Sequence, residues 1–110
     1  MIDLSRLKAR ARKVALKSPF RYKVAAILFD SRGRIVATGY NHPGGGRSLM
    51  GNWVIHAEAD ALNKIMKPSP NLSMLLYRLG GRLITPCSAC VSLIKAYRIK
   101  EVLYTTRWGP

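Results

Sequence analysis

Two cysteines and one histidine stand out in this sequence by their type and spacing. Cys87 and Cys90 form a C-x-x-C pair, and His56 precedes the stretch AEADAL. Residues three apart in a helical turn point to the same side, so the two sulfur atoms can share a partner. One imidazole and two thiolates are donors that favour zinc. Three protein ligands leave a fourth position open to water, which is typical of a catalytic zinc site and not of a structural one.

A carboxylate lies close to this group in the sequence. Glu58 follows His56 by two residues, in a chain that has five acidic residues against 19 Lys and Arg. Beside a metal ligand, such a carboxylate can take a proton from water and pass it on. Within a regular helix, however, the i, i+2 spacing would turn the two side chains apart. We therefore expect His56 at the very start of a helix, with Glu58 over the metal.

Other interpretations of these residues stay open at this point. Cys87 and Cys90 could form a redox pair, because C-x-x-C is also a redox motif. His42 could be a fourth zinc ligand, which would close the site and make it structural, or it could line a substrate pocket or face solvent. Asp60 is most simply a surface residue, and we assign it no role.

The composition bounds the class of protein. A chain of 110 residues with 48% hydrophobic residues can form one domain, over 1–110, with a real core. The net charge of +14 favours polyanionic partners, namely a nucleotide or a single-stranded nucleic acid. Trp53 and Trp108 could stack on a base or only pack. Because the sequence has neither the apolar run of a membrane span nor that of a signal peptide, we expect a cytoplasmic protein with no membrane partner.

The hydrophobic pattern predicts the elements that position these residues. Helices are expected over 3–17, 57–67 and 86–98, the last with Thr85 as N-cap and Pro86 at its first position. Strands are expected over 22–29, 34–40, 72–79, 82–85 and 102–105, with tight turns at 30–33 and 80–81. Strands and helices alternate through the second half of the chain, which indicates an α/β domain with α-β-α layers.

The two motifs together resemble those of a known family. HAE at 56–58 followed by PCSAC at 86–90 resembles the H-x-E…P-C-x-x-C signature of zinc-dependent cytidine and deoxycytidylate deaminases. The order of elements over roughly 22–106 is similar as well: a hairpin, the HAE helix, a strand, the PCxxC helix and a strand. Two short motifs in this order are more specific than either motif alone.

The resemblance implies roles for six residues. The implied ligands of Zn2+ are His56, Cys87 and Cys90. Glu58 is implied as the catalytic residue that shuttles protons. The implied substrate contacts are Asn41, at the end of the second strand, and Ala57.

The resemblance also implies a fold and an assembly. We expect a compact cytidine-deaminase-like α-β-α domain with a mixed sheet that lacks the family's C-terminal fifth strand. The strand edge left bare by this absence favours a homo-oligomer.

The implied activity is hydrolytic deamination. The protein is expected to convert a cytosine-type base to uracil in a nucleoside or nucleotide. A histidine in place of a third cysteine among the ligands is similar to deoxycytidylate, tRNA-adenosine and polynucleotide deaminases, and deoxycytidylate-like substrates fit it. One alternative is deamination of bases in single-stranded DNA, RNA or tRNA, which the high positive charge would suit. A second alternative is a non-catalytic zinc-containing module that binds nucleic acid.

Overall fold

The computed structural model describes residues 2–44, 54–80 and 88–104. Within these ranges the chain forms three helices and six strands. In chain order they are α1 (Leu4–Ala15), β1 (Val24–Phe29), β2 (Ile35–Tyr40), β3 (His42–Pro43), β4 (Val54–Ile55), α2 (Ala57–Leu62), β5 (Ser73–Arg78), α3 (Ser88–Ala96) and β6 (Val102–Tyr104). None of the helices in these ranges is both long enough and apolar enough to cross a membrane.

Four strands form one mixed sheet in the order β2-β1-β5-β6. β1 pairs antiparallel with both β2 and β5, whereas β5 and β6 are parallel. β3 and β4 form a separate two-stranded ladder, in which His42 faces Ile55. The predicted mixed sheet is therefore confirmed.

Helices cover both faces of this sheet. α1 buries Leu7, Ala11 and Val14 against one face, and α2 and α3 cover the other face. Because β1 lies inside the sheet and is covered on both sides, five of its six residues are buried, which accounts for its almost continuous apolar run. The predicted α-β-α layers are confirmed.

The sheet has two ends with different connections. At the turn end, β1 leads into β2 through a tight turn in which Asp30 accepts hydrogen bonds from the main-chain N–H groups of Arg32 and Arg34, both 2.9 Å long. Gly33 in this turn has φ +80°, which a side chain would disfavour. At the opposite end, which we call the rim end, β1 begins while β2 and β5 end. The segments that lead towards α2 and α3 therefore start from the rim end.

The structure differs from the sequence-based expectations in some elements. α2 ends at Leu62 and not near 67, because the next bonds, from Lys64 to Ala61 and from Ile65 to Leu62, span three residues and tighten the chain. The ladder of β3 and β4 was not predicted, since two residues per strand carry no readable alternation. The predicted strand over 82–85, the turn at 80–81 beyond Gly80, and the expected cap and first residue of α3 lie outside the described residues.

Candidate active site

His56 lies at the start of α2 and serves as its N-cap. Its backbone is extended, with φ −72° and ψ 153°, and its carbonyl oxygen accepts the N–H of Asp60 at 2.9 Å. The side chain is exposed. Within a helix, the side chains of residues 56 and 58 would point in different directions. Because the backbone of His56 is not helical, this restriction does not apply to its imidazole.

Glu58 lies in the first turn of α2 and is buried, with 5% of its surface exposed. A buried carboxylate is costly unless polar partners or a cation compensate it. α2 can bring Glu58 inside because it packs closely on β2: Gly39 of that strand lies directly against the backbone of Ala57 and Ala61. Ala57, the second implied substrate contact, is 1% exposed and belongs to the core beside α2 and α3.

Cys90 completes the group from a different element. It lies in the first turn of the described part of α3 and is 5% exposed. A ring nitrogen of His56, a carboxylate oxygen of Glu58 and the sulfur of Cys90 all lie within 4.8 Å of one another. The structure thus brings three of the expected residues together, while the fourth, Cys87, lies outside the described residues.

The donors of this group fit a zinc ion. An imidazole nitrogen and a thiolate are ligands that zinc takes in proteins, and atoms less than 4.8 Å apart can share one ion. His56 is exposed, whereas Glu58 and Cys90 are buried. The group can therefore receive a ligand or a water molecule from solvent while Glu58 stays away from bulk water.

Asn41 has contacts that the sequence did not indicate. Its side-chain oxygen accepts the N–H of Val24 at 2.9 Å, and its side-chain nitrogen donates to the carbonyl oxygen of Tyr22 at 2.6 Å. The amide thus joins the end of β2 to the start of β1 at the rim end of the sheet. The contact of Asn41 with a substrate stays a prediction, and the bonds to the main chain give the residue a structural role as well.

Asp60 makes contacts that sequence reasoning missed. One carboxylate oxygen accepts the N–H of Tyr40 at 3.1 Å, and the other lies 3.2 Å from Nε2 of His42. Lys64, one turn later in the chain, lies 3.9 Å away. Asp60 therefore links α2 to the last residue of β2 and to His42. The available signal was its place among only five acids, two residues after Glu58.

His42 faces two oxygen acceptors. Nδ1 lies 2.9 Å from the carbonyl oxygen of Pro43, and Nε2 lies beside Asp60. The carbonyl of Pro43 and then the carboxylate of Asp60 raise the pKa of His42 above its ordinary value of 6.5, against the smaller opposing effects of burial and of Lys64. Within the described ranges, the group of possible metal ligands holds His56, Glu58 and Cys90 and not His42. The two tryptophans at 53 and 108 lie outside those ranges.

A comparison with protein families gives a match over almost the whole chain. The model of the cytidine and deoxycytidylate deaminase zinc-binding region matches residues 1–106. No curated protein matches the sequence.

Solved structures share the fold. Cytidine deaminase from Burkholderia pseudomallei superimposes with a TM-score of 0.68 at 22% identity, over 93% of this chain and 81% of that one. The dCMP deaminase of the cyanophage S-TIM5, in its apo form, gives a TM-score of 0.64 at 25% identity, over 91% and 79% of the two chains. The same phage protein in complex with dCMP and dUMP gives a TM-score of 0.60 at 24% identity, over 94% and 83%. The predicted cytidine-deaminase-like fold is confirmed.

Proposed function

Because this chain belongs to the cytidine and deoxycytidylate deaminase zinc-binding family, we propose that it is a zinc-dependent hydrolytic deaminase of a cytosine-type base in a nucleoside or nucleotide. The observation that carries the proposal is the approach of His56, Glu58 and Cys90 to within 4.8 Å of one another. A zinc site without catalysis would not require the buried carboxylate at this place.

The residues divide into metal ligands and a proton carrier. His56 and Cys90, with Cys87 from outside the described residues, would hold the ion. When bound, zinc supplies a Lewis acid that activates water as a nucleophile near neutral pH. Glu58 stays off the ligand set, so its carboxylate is available to accept a proton. Its burial keeps that proton from exchanging with bulk water during the reaction.

The reaction balances with water as the only co-substrate. A bond forms between the water oxygen and the ring carbon that carries the amino group, and the bond from that carbon to nitrogen breaks. Glu58 takes a proton from the water and returns it to the departing nitrogen, which leaves as ammonia. The carboxylate ends the cycle in its starting state, so no further reagent is needed.

A nucleotide is the substrate that the charge and the relatives support. The net charge of +14 favours a substrate that carries phosphate. The phage dCMP deaminase, which shares the fold, has been solved with dCMP and dUMP bound. His42 and Asn41 follow β2 at the rim end, on the way to His56, and we propose that they contact the sugar or phosphate.

The test is a deamination assay followed by mass spectrometry. Zinc-loaded protein is incubated with cytidine, dCMP, adenosine nucleotides and single-stranded oligonucleotides, and the product is the base in which oxygen replaces the amino group. The matched variant is Glu58→Gln, which keeps the size of the side chain but cannot carry the proton. Turnover of dCMP or cytidine by the wild type and not by the variant supports the proposal. A zinc-loaded wild type that converts none of the bases would refute it and favour a non-catalytic binding module.

A further inference from the structure

Tyr22 is an exposed aromatic residue at the rim end of the sheet. It is 58% exposed, and the guanidinium carbon of Arg78 lies 4.4 Å from its ring centroid. Arg78 is the last residue of β5 and faces Val24 in the ladder with β1, so the sheet itself fixes its position. A cation over one ring face is favourable and restrains the ring, while much of the ring still meets solvent.

Two further cations precede Tyr22 in the connection from α1 to β1. Lys17 and Arg21 are both exposed and lie in the segment that joins α1 to β1. The ammonium of Lys23 donates to the carbonyl oxygen of Ser18, which holds this segment against the start of β1. We refer to Lys17, Arg21, Tyr22 and Arg78 as the rim patch.

Of the five acidic residues in the chain, three lie away from the rim patch, one is buried, and one contacts other side chains. Asp3 caps the first turn of α1, which touches the β1–β2 turn through a bond from Arg6 to Gly33. Asp30 lies in that same turn, and Glu101 contacts Met74 near the start of β5. These three acids are therefore at the turn end. The other two are Glu58, which is buried, and Asp60, which contacts His42 and Lys64.

The rim patch and the candidate active site lie at the same end of the sheet. The carbonyl oxygen of Tyr22 accepts a bond from the side chain of Asn41. The next residue, His42, pairs with Ile55, which directly precedes His56. A ligand that rests on Tyr22 therefore lies at the same end of the sheet as the proposed zinc ligand.

From this arrangement we infer that the rim patch binds single-stranded nucleic acid. The ring of Tyr22 stacks on a base, and Lys17 and Arg21 contact phosphates of the same strand. A single strand offers both open base faces and regular phosphates, whereas a duplex hides its base faces. This binding goes beyond the deamination of a free nucleotide and does not depend on turnover.

Fluorescence anisotropy with a labelled single-stranded oligonucleotide tests the inference. All proteins carry Glu58→Gln, so no substrate is consumed, and failure of the proposed reaction in the wild type would leave the binding result unaffected. Tyr22→Ala is expected to weaken binding about fivefold or more because one stacked base is lost. Tyr22→Phe keeps the ring and is expected to bind as the parent does.

A pair of matched double variants separates position from total charge. Lys17→Gln with Arg21→Gln removes two charges from the rim patch, and Arg32→Gln with Lys100→Gln removes two exposed charges from the turn end. The rim pair is expected to weaken binding several-fold more than the control pair. It is also expected to reduce the slope of log affinity against log salt by about 1.4, which is about 0.7 for each lost phosphate contact.

Three results would overturn the inference. Equal weakening by the two double variants would show that binding follows net charge alone. If Tyr22→Ala binds the single strand as tightly as the parent does, no base stacks on Tyr22. Tyr22→Ala could also weaken the binding of a duplex as much as that of the single strand. This result would show that the ring of Tyr22 does not stack on an open base face. The melting temperature of each variant, expected to match that of the parent, verifies that these exposed substitutions leave the fold intact.

Discussion

Gly39 of β2 lies directly against the first residue of α2: a Cβ atom at Gly39 would stand 2.5 Å from the carbonyl oxygen of Ala57. The same atom would also meet the backbone nitrogen of Ala61. Both neighbours are main-chain atoms, which cannot turn aside as a flexible side chain can. The helix that carries Glu58 therefore reaches its position only because residue 39 has no side chain.

Gly39→Ala is expected to move α2 away from the sheet. The overpacking should lower the free energy of unfolding by about 1–3 kcal/mol, and the displaced Glu58 should cost most of the deaminase activity. Urea denaturation and the deamination assay measure the two effects. Val36→Ala, at an exposed position of the same strand, is the control and should change neither. A fully active and stable Gly39→Ala protein would show that the backbones of β2 and α2 leave room for a Cβ atom at this position.

Asn41→Ala is expected to destabilise the rim end of the sheet. The variant leaves the N–H of Val24 and the carbonyl of Tyr22 without their partner, and each lost bond of this kind costs about 1 kcal/mol. Chemical denaturation gives the loss of stability, and steady-state kinetics on dCMP gives KM. An increase in KM that persists at temperatures where the variant is fully folded would support the predicted substrate contact. A change in stability with unaltered KM would assign Asn41 to the fold alone.

The carbonyl oxygen of Pro43 and the carboxylate of Asp60, which both lie beside His42, predict a pH dependence of stability. The pKa of His42 is raised in the folded protein, so the charged imidazole stabilises the fold at pH values below about 6.5, its ordinary pKa. This contribution is lost as the pH rises through the higher folded value. Asp60→Asn should lower the pKa of His42 and flatten this dependence. The protein has two histidines, so an NMR titration of their ring protons can follow His42 separately from His56.

Lys64 provides a control of opposite sign for that titration. Its positive charge lowers the pKa of His42, so Lys64→Gln should raise that pKa further, while Asp60→Asn lowers it. A pKa of His42 that is unaltered in both variants would mean that Asp60 does not contact the imidazole in solution.

Metal binding should separate the ligands from the proton carrier. Zinc should raise the melting temperature of the wild type and of Glu58→Gln, because an ion that binds only the folded chain stabilises it by mass action. His56→Ala and Cys90→Ala should bind less zinc and lose this shift, with Asn63→Ala, at the exposed C-terminal cap of α2, as a control. Zinc content measured by elemental analysis checks the result. Loss of zinc in Glu58→Gln would instead make Glu58 a ligand.

The sequence predicted the parts of the site that depend on local spacing. An N-cap histidine two residues before a carboxylate, and a cysteine in the first turn of a later helix, could be placed because each relation involves one element. The approach of Glu58 to Cys90 also requires that α2 and α3 cover the same face of the sheet, which no single motif contains.

The missed contacts are those between residues distant in the chain. Asp60 is 18 residues from His42 and 20 from Tyr40 in the sequence. No short sequence pattern indicates that the end of β2 lies beside the carboxylate of Asp60. The bonds of Asn41 to the main chain of β1 are of the same kind. The early end of α2 was missed for a different reason, since a shift from four-residue to three-residue bonds after Leu62 leaves no trace in the hydrophobic pattern.

The two layers of helices divide β1 between separate cores. Ile27 and Phe29 belong to the core beneath α1, whereas Ala26 and Leu28 belong to the core beneath α2 and α3. These two helices carry Glu58 and Cys90 of the candidate site. Neighbouring positions of β1 therefore support different parts of the molecule. In a mutational scan of β1, tolerance should alternate with a period of two: substitutions at one set of positions alter thermal robustness, and those at the other set alter catalytic competence as well.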